Sequence, residues 1–235
     1  MLKSINKKNN HRIIFFSSMA AIYFLFTFFD LYYFNTGNPC SIALKYMSII
    51  IFFILSLSIS ENGVSKRDTL LLQLALFFTL CADTCLLILN NFFIGIFFFC
   101  IVQFLYIIRH SKSLNITKVI ISLCLIILLP AFILKLFPLD MDKRLLTIST
   151  IYLILLVNSL LVAVKFNQIV ALAMTLFFFC DINVGISHIL SIYPVYLWNI
   201  PLSFLTSFLV WIFYFPSQLL LALSGFQEYT DSILY

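Results

Sequence analysis

The sequence predicts an all-α protein, a polytopic bundle of transmembrane helices, and two observations support this. Hydrophobic residues make up 63% of the 235 residues and charged residues only 10%, whereas a soluble domain carries about 25% charged residues. The apolar residues also occur in runs of about 20, the length at which a helix crosses a hydrocarbon core about 30 Å thick. We therefore expect one integral membrane domain over residues 1–235.

The apolar runs divide the chain into about eight predicted spans, each long enough to cross a bilayer. Turn-forming residues mark several breaks between them, at 35–39, 61–63 and 138–142. The mostly apolar stretch 70–108 is too long for one crossing, so we place a reversal at residues 90–91. The predicted spans are 13–34, 41–59, 69–89, 91–109, 118–137, 145–164, 168–189 and 201–223.

The basic residues predict an orientation and exclude one class of partner. The net charge is +5, but the basic residues are scattered between apolar runs, so we exclude nucleic acid. Cytoplasmic loops carry an excess of Lys and Arg. Termini in the cytoplasm, as an even number of spans requires, would place on the inner side Lys3, Lys7, Lys8, Arg12, Lys66, Arg67, Arg109, Lys112, Lys118 and Lys165, and on the outer side Lys45, Lys135, Lys143 and Arg144. We expect a multi-pass protein with both termini cytoplasmic, in the cell membrane if the source is bacterial.

Two aspartates within apolar spans are the main candidates for chemistry. Asp83 ends the run Leu-Phe-Phe-Thr-Leu-Cys-Ala-Asp in span three, and Asp181 ends Thr-Leu-Phe-Phe-Phe-Cys-Asp in span seven. Each lies about 20 Å along its helix, and both spans run in the same direction, so the two carboxyl groups should share a depth. A charged side chain at this depth is costly and is usually kept where it faces a bundle interior or a wet cavity. The alternative is that each residue only pins helices together through hydrogen bonds.

Lys45 is a third candidate, a few residues into span two from the predicted outer side. It could reach the level of the aspartates and act as a partner for an Asp or for an anionic headgroup. The alternative is a lysine at a helix end that extends its ammonium group to the interface. Asp30, late in span one, lies close enough to the interface for solvation alone to explain it.

Uncharged polar residues also recur at helical spacing. Gln103 and Tyr106 are three residues apart in span four, and Tyr214 and Gln218 are four apart in span eight, around Pro216. Each pair shares one helix face. Taken singly, such residues more often form hydrogen bonds between helices than take part in catalysis.

The six cysteines indicate neither a disulfide framework nor a metal site. Cys81 and Cys85 are four residues apart, there is no Cys-x-x-Cys pair, and no cluster of histidines accompanies them. The chain also lacks a Gly-rich phosphate loop, a Gly-x-Ser-x-Gly elbow and a His-Glu-x-x-His motif. If the protein is an enzyme, we expect it to use carboxyl groups, without a metal or cofactor.

The polar residues together resemble a known family, the lysoplasmalogenase-like (YhhN) integral membrane proteins. The residues that carry the resemblance are Lys45 in Leu-Lys-Tyr-Met, Asp83 in Cys-Ala-Asp, Tyr106 in Phe-Leu-Tyr, Asp181 in Cys-Asp, and Tyr-Phe-Pro-Ser-Gln at 214–218. The family usually has Gly-Asp and Ser-Asp at the two aspartates and a Pro after the lysine, where this chain has Tyr46. It commonly has a His where this chain has Gln103.

The resemblance implies a substrate and roles for these residues. Active family members cleave the vinyl-ether bond of lysoplasmalogens, which are alkenyl lysophospholipids, to a fatty aldehyde and a glycerophospho-base. Asp83 and Asp181 would then be catalytic, as acid and as ionised partner in either order. Supporting or substrate-binding positions would be Lys45, Gln103, Tyr106, Tyr214 and Gln218.

The alternative interpretation is non-catalytic: the same polar pocket would belong to a lipid-binding protein or to a proton-coupled transporter. Paired aspartates inside the membrane also serve carriers. A carrier should have a polar path that continues to the cytoplasmic face. Spans three and seven offer little of one on the inner side of their aspartates, apart from Gln73. This favours an enzyme pocket that opens outward or sideways. If the protein is only a scaffold, replacement of both aspartates by Asn should leave its function unchanged.

Overall fold

The computed structural model describes residues 2–59, 63–111 and 142–227, and this part of the chain is almost entirely helical. The helices are α1 (Leu2–Tyr33), α2 (Pro39–Leu57), α3 (Lys66–Asp83), α4 (Phe92–His110), α5 (Lys143–Ala163), α6 (Gln168–Ile192) and α7 (Leu202–Leu223). A π-helical turn, Thr84–Ile88, extends α3. A short hairpin of β1 (Tyr196–Leu197) and β2 (Ile200–Pro201) joins α6 to α7.

Seven segments of these helices are long and apolar enough to cross a membrane. They confirm seven of the predicted spans, with ends that differ from the prediction by three residues or fewer. The predicted fifth span, 118–137, lies outside the described residues. The count of eight and the cytoplasmic position of the termini therefore stay predictions.

Polar residues begin most of these helices, which explains why the turns were visible in the sequence. The side chains of Asn38, Ser65, Asn91, Asp142 and Asn167 each accept a hydrogen bond from a backbone N–H in the first turn of the helix that follows. Such caps satisfy donors that an α-helix leaves unpaired at its start.

The predicted reversal at residues 90–91 is confirmed. Asn90 adopts a left-handed backbone conformation with φ of 51°, which Asn tolerates better than most residues. Asn91 then caps α4, so the chain turns back within two residues.

Helix packing places α7 against α6 and against α2, while α4 lies between α3 and α5. One aromatic cluster fills the space between α1, α2 and α7, where Phe26, Phe52 and Phe215 are buried and their rings lie 5.2 to 5.7 Å apart. Phe24 and Phe28, on the same helix as Phe26, are exposed. Exposed phenylalanines on a spanning helix face the lipid, which is as apolar as the core.

One end of the bundle is closed by a buried ion pair. Arg109, near the end of α4, donates two hydrogen bonds of 2.9 Å to the carboxylate of Asp68 in the first turn of α3. It also donates to the hydroxyl and the carbonyl of Ser224, directly after α7, at 3.0 and 3.2 Å. The side chain of Arg109 is 1% exposed. We call this the Arg109 end. In the sequence, Arg109 indicates only topology, as one of the basic residues on the predicted inner side.

Candidate functional site

Asp83 is the last residue of α3, at the point where the helix widens into the π-helical turn. Its Oδ2 accepts a 2.5 Å hydrogen bond from the hydroxyl of Tyr214 on α7. Thr84 donates to the carbonyl of Leu80 at 2.7 Å, and its hydroxyl lies 3.0 Å from that of Tyr46 on α2. Asp83 is 4% exposed. Its carboxyl group is thus buried between α2, α3 and α7, with a tyrosine as its hydrogen-bond donor.

Asp181 lies in the middle of α6 and has a matching arrangement. Its Oδ2 accepts a 2.5 Å hydrogen bond from the hydroxyl of Tyr152 on α5. The amide nitrogen of Gln103 on α4 donates to the same tyrosine oxygen at 3.3 Å, and Ser159 donates to the amide oxygen of Gln103 at 2.5 Å. Asp181 is half-buried. A chain of hydrogen bonds across α4, α5 and α6 therefore fixes its carboxyl group.

The two carboxyl groups lie near one another, close enough for the charge of Asp181 to act on Asp83. The rings of the two tyrosines are linked through Phe177 and Phe99, with centroid distances of 5.7 Å from Tyr214 to Phe177, 5.9 Å from Phe177 to Phe99 and 6.0 Å from Phe99 to Tyr152. Both phenylalanines are buried. The carboxyl pair thus shares an aromatic wall, with one tyrosine hydroxyl directed at each acid.

The model of the YhhN family matches residues 40–225, which include every helix from α2 to α7 and both aspartates. The chain belongs to the YhhN family. No match was found among curated proteins or among solved structures. Together with the seven apolar helices, the match identifies a multi-pass membrane protein of this family.

Lys45 of this YhhN protein does not contact Asp83 or Asp181. Its ammonium nitrogen lies 2.7 Å from Oδ2 of Asp30, and both side chains are 0% exposed. It also donates to the carbonyl of Thr36 at 3.1 Å, and it lies 5.2 Å from the ring centroid of Trp211. The predicted partnership with an Asp holds for Asp30 alone. The alternative of a lysine extending to the interface is wrong.

The expectation that solvation explains Asp30 is also wrong. Its carboxylate is fully buried and accepts a 2.5 Å hydrogen bond from Ser41 in addition to the ion pair. The pairing was hidden in the sequence because Asp30 and Lys45 lie on different helices, and helical spacing relates residues only within one helix.

Tyr106 and Gln218, predicted as supporting residues, are buried but do not bond to either carboxyl group. The hydroxyl of Tyr106 and both polar atoms of the Gln218 side chain have no hydrogen-bond partner among the described residues. Tyr214 and Gln103, by contrast, belong to the hydrogen-bond chains described above. Apart from Lys45, which pairs with Asp30, the predicted set therefore divides into residues at the carboxyl pair and residues nearer the Arg109 end.

Sequence reasoning missed two residues of the site. Tyr152 donates to Asp181, and Ser159 orients Gln103. They are seven residues apart in α5, so they share a helix face. A tyrosine and a serine seven residues apart on one face of a mostly apolar span were a usable signal.

Neither the cysteines nor the acidic residues suggest a metal centre in the described part of the chain. The five cysteines described are free thiols, and Cys180, next to Asp181, is buried. No group of three His, Cys, Asp or Glu side chains that could hold an ion occurs among these residues. The sixth cysteine, Cys124, lies outside the described residues.

Proposed function

We propose that this YhhN protein hydrolyses the vinyl-ether bond of lysoplasmalogens, with Asp83 and Asp181 as its catalytic residues. The observation that carries the proposal is the pair of carboxyl groups, each bonded to a tyrosine hydroxyl and close enough to interact. Two carboxyl groups around a developing cation are the arrangement that glycoside hydrolases use for a related transition state. Family membership supports the substrate class.

Hydrolysis of a vinyl ether begins with protonation of the alkene carbon that is not bonded to oxygen. The product is an oxocarbenium cation, to which water adds with loss of a proton. The resulting hemiacetal divides into a fatty aldehyde and an alcohol, here the glycerophospho-base. One water molecule is consumed. When the hemiacetal divides, its hydroxyl proton passes to the acid that began the reaction, and the proton taken from water passes to the departing alcohol oxygen, so both carboxyl groups return to their starting states.

Burial supports an assignment of the two roles within this proposal. Removal from water disfavours the charged form of a carboxyl group, and solvation favours it. Asp83 is 4% exposed and Asp181 is half-buried. Asp83 therefore supplies the proton, and Asp181, ionised, stabilises the cation and accepts a proton from the attacking water. The aliphatic chain of the lipid binds among apolar side chains, which needs no special motif.

The rival function is non-catalytic, namely a lipid-binding protein or a proton-coupled transporter that uses the same acidic pair. The two readings differ in product. An enzyme releases aldehyde in detergent or nanodiscs, whereas a carrier releases none and dissipates a pH gradient across proteoliposomes that contain a pH-sensitive dye.

The test is to incubate the purified protein with an alkenyl and with an acyl lysophospholipid and to measure aldehyde and fatty acid. We expect aldehyde from the alkenyl lipid and no fatty acid from the acyl lipid. Removing a catalytic acid or base costs roughly 10² to 10⁴ in rate, so Asp83→Asn and Asp181→Asn should each lose at least about 100-fold. Asp142→Asn is the control, since Asp142 is exposed and only caps α5. Unchanged rates of aldehyde release in both aspartate variants would contradict the proposal.

A further inference from the structure

Seven buried polar atoms near the Arg109 end have no hydrogen-bond partner among the described residues. They belong to five side chains on three helices: Thr69, Tyr106, His110, Ser217 and Gln218. All five are between 0% and 9% exposed. The one other atom of this kind is Oδ2 of Asp30, which the ion pair with Lys45 accounts for. Buried polar groups are normally bonded to protein or to ordered water, so this concentration points to a ligand.

Along their helices, four of the five side chains lie between the buried ion pair and the carboxyl pair, and His110 directly follows Arg109. Thr69 follows Asp68 on α3. Tyr106 is about 4.5 Å along α4 from Arg109, and Ser217 is about 10 Å along α7 from Ser224, whereas Asp83 is about 22 Å along α3 from Asp68. The hydrogen bonds of Arg109 hold these three helices together at this end.

His110 lies closest to the end of the bundle and is covered by aromatic rings. Its imidazole stacks on the ring of Tyr106, with centroids 5.6 Å apart and an angle of 7° between the planes. Phe166 packs on it at 4.9 Å. The imidazole is 2% exposed, and neither of its nitrogens has a partner in the described part of the chain.

The chemistry of these atoms fits a neutral ligand that both donates and accepts hydrogen bonds. Hydroxyl groups and an amide do both, and a neutral imidazole has one donor and one acceptor. Arg109, the buried cation at this end among the described residues, is already paired with Asp68, so it offers no free charge for an anion. Water meets this description, and polar sites lined by several such groups are where proteins hold buried water.

Each carboxyl group is linked to this region through a hydrogen-bonding residue that lies one helical turn from one of the five side chains. Gln218 is one turn from Tyr214, which bonds Asp83. Tyr106 is one turn from Gln103, which bonds the tyrosine that holds Asp181. We propose that Thr69, Tyr106, His110, Ser217 and Gln218 form an internal water site that supplies the water consumed at the carboxyl pair. The supply role rests on the proposed hydrolysis; the water site does not.

The position of the proposed water site bears on the alternative function, a proton-coupled carrier. Buried polar side chains are few on α3 and α6 below the aspartates but recur on α4 and α7 toward the Arg109 end. Within the described residues, they end at the buried pair of Arg109 and Asp68. Polar side chains that end at a buried ion pair suit a reaction that consumes water, whereas a carrier needs an opening.

Radiolytic footprinting tests the water site on the full-length wild-type protein in nanodiscs. A short X-ray pulse converts bound water to hydroxyl radicals, which oxidise the adjacent side chains even where bulk solvent does not reach. We expect oxidation of Tyr106 and His110 at several times the rate of Phe26 and Phe52, which are equally buried among apolar groups. Oxidation no faster than at Phe26 and Phe52 would overturn the water site.

Two conservative variants test the supply role. Gln218→Met keeps the length of the side chain and removes its amide, and Tyr106→Phe removes one hydroxyl. We expect each to lower the oxidation of its neighbours and to lower kcat several-fold with little change in KM. Unchanged kcat in both variants would overturn the supply role. The supply role would also be overturned if the wild-type protein shows the expected oxidation of Tyr106 and His110 but releases no aldehyde. Either result would leave the water site supported.

Discussion

The two tyrosines at the carboxyl pair have well-defined contacts in the structure. Tyr214 reaches Asp83 from α7, and Tyr152 reaches Asp181 from α5. Each hydroxyl fixes the direction of one acid. Because the two donors come from different helices, the geometry of the pair depends on how four helices pack.

Removing either hydroxyl should reduce catalysis without unfolding the protein. Tyr152 bonds the ionised acid, and a hydrogen bond to a charged group contributes about 1.5–3 kcal/mol, so we expect Tyr152→Phe to lower kcat for aldehyde release by about 10- to 100-fold. Tyr214 bonds the protonated acid, where a neutral hydrogen bond contributes about 0.5–1.5 kcal/mol, so we expect Tyr214→Phe to lower kcat by about 2- to 10-fold. Tyr46→Phe is the matched control, since its hydroxyl bonds Thr84 and neither acid. Equal losses in all three variants would mean that the tyrosines act through general stability.

The buried ion pair of Asp30 and Lys45 is a structural contact in this account. Breaking a buried pair by removing one partner costs about 3–5 kcal/mol, because a charge remains buried without compensation. We therefore expect Lys45→Met to lower the free energy of unfolding, measured by detergent-induced unfolding, by about this amount.

The double variant Asp30→Asn with Lys45→Met separates charge from packing. It should recover most of the lost stability, since neither charge is then left alone. If the double variant is less stable than Lys45→Met by itself, the ion pair does not account for the loss.

At the scale of elements, the close contact of α3 and α4 positions Asp83. A Cβ added at Gly95 on α4 would lie 2.6 and 2.7 Å from side-chain atoms of Leu86 and 3.3 Å from the carbonyl oxygen of Ala82. Leu86 belongs to the π-helical turn directly after Asp83. Single-turn π-helices often occur at functional sites, and here the turn is packed against a glycine.

Gly95→Ala should therefore disturb both stability and activity. Overpacking a core costs about 1–3 kcal/mol, and the displaced Leu86 should shift Asp83 and lower kcat. The control is Gly185→Ala on α6, where a Cβ would meet nothing within 4 Å. The combination of Gly95→Ala with Leu86→Ala should restore activity; if it restores none, the contact with Leu86 is not the cause.

Element ends were predictable from the sequence because they depend on local chemistry. Asn38 and Pro39 begin α2 and Asn91 begins α4 through side-chain and backbone preferences that act within a few residues. The two aspartates were recognisable for a similar reason, since a carboxyl group inside an apolar run is costly wherever the helix lies.

Contacts between helices were not predictable in the same way. In a soluble helix, the apolar face marks the core. In this chain both the core and the lipid are apolar, so buried Phe26 and exposed Phe24 look alike in sequence. The partners of Lys45, Arg109 and Tyr152 depend on which helices are adjacent, and only the structure supplied that.

At the scale of the whole molecule, polar groups form three levels in an otherwise apolar bundle. The Arg109 ion pair closes one end, unpartnered polar side chains lie above it, and the carboxyl pair lies further along α3 and α6. In the proposed reaction, this arrangement would keep the two acids away from bulk water and provide a polar region beside them. The proposed hydrolysis uses both features.

The central claim is that a carboxylic acid of the Asp83–Asp181 pair protonates the vinyl-ether carbon. Hydrolysis in D₂O tests this claim most directly. The released aldehyde should carry one deuterium at carbon 2. Labelled aldehyde should form at the wild-type rate only when Asp83 and Asp181 are both present. Preformed aldehyde kept in the same buffer measures exchange without catalysis. Aldehyde with no deuterium at carbon 2 above this background, or equal labelled product from Asp83→Asn, would contradict the account.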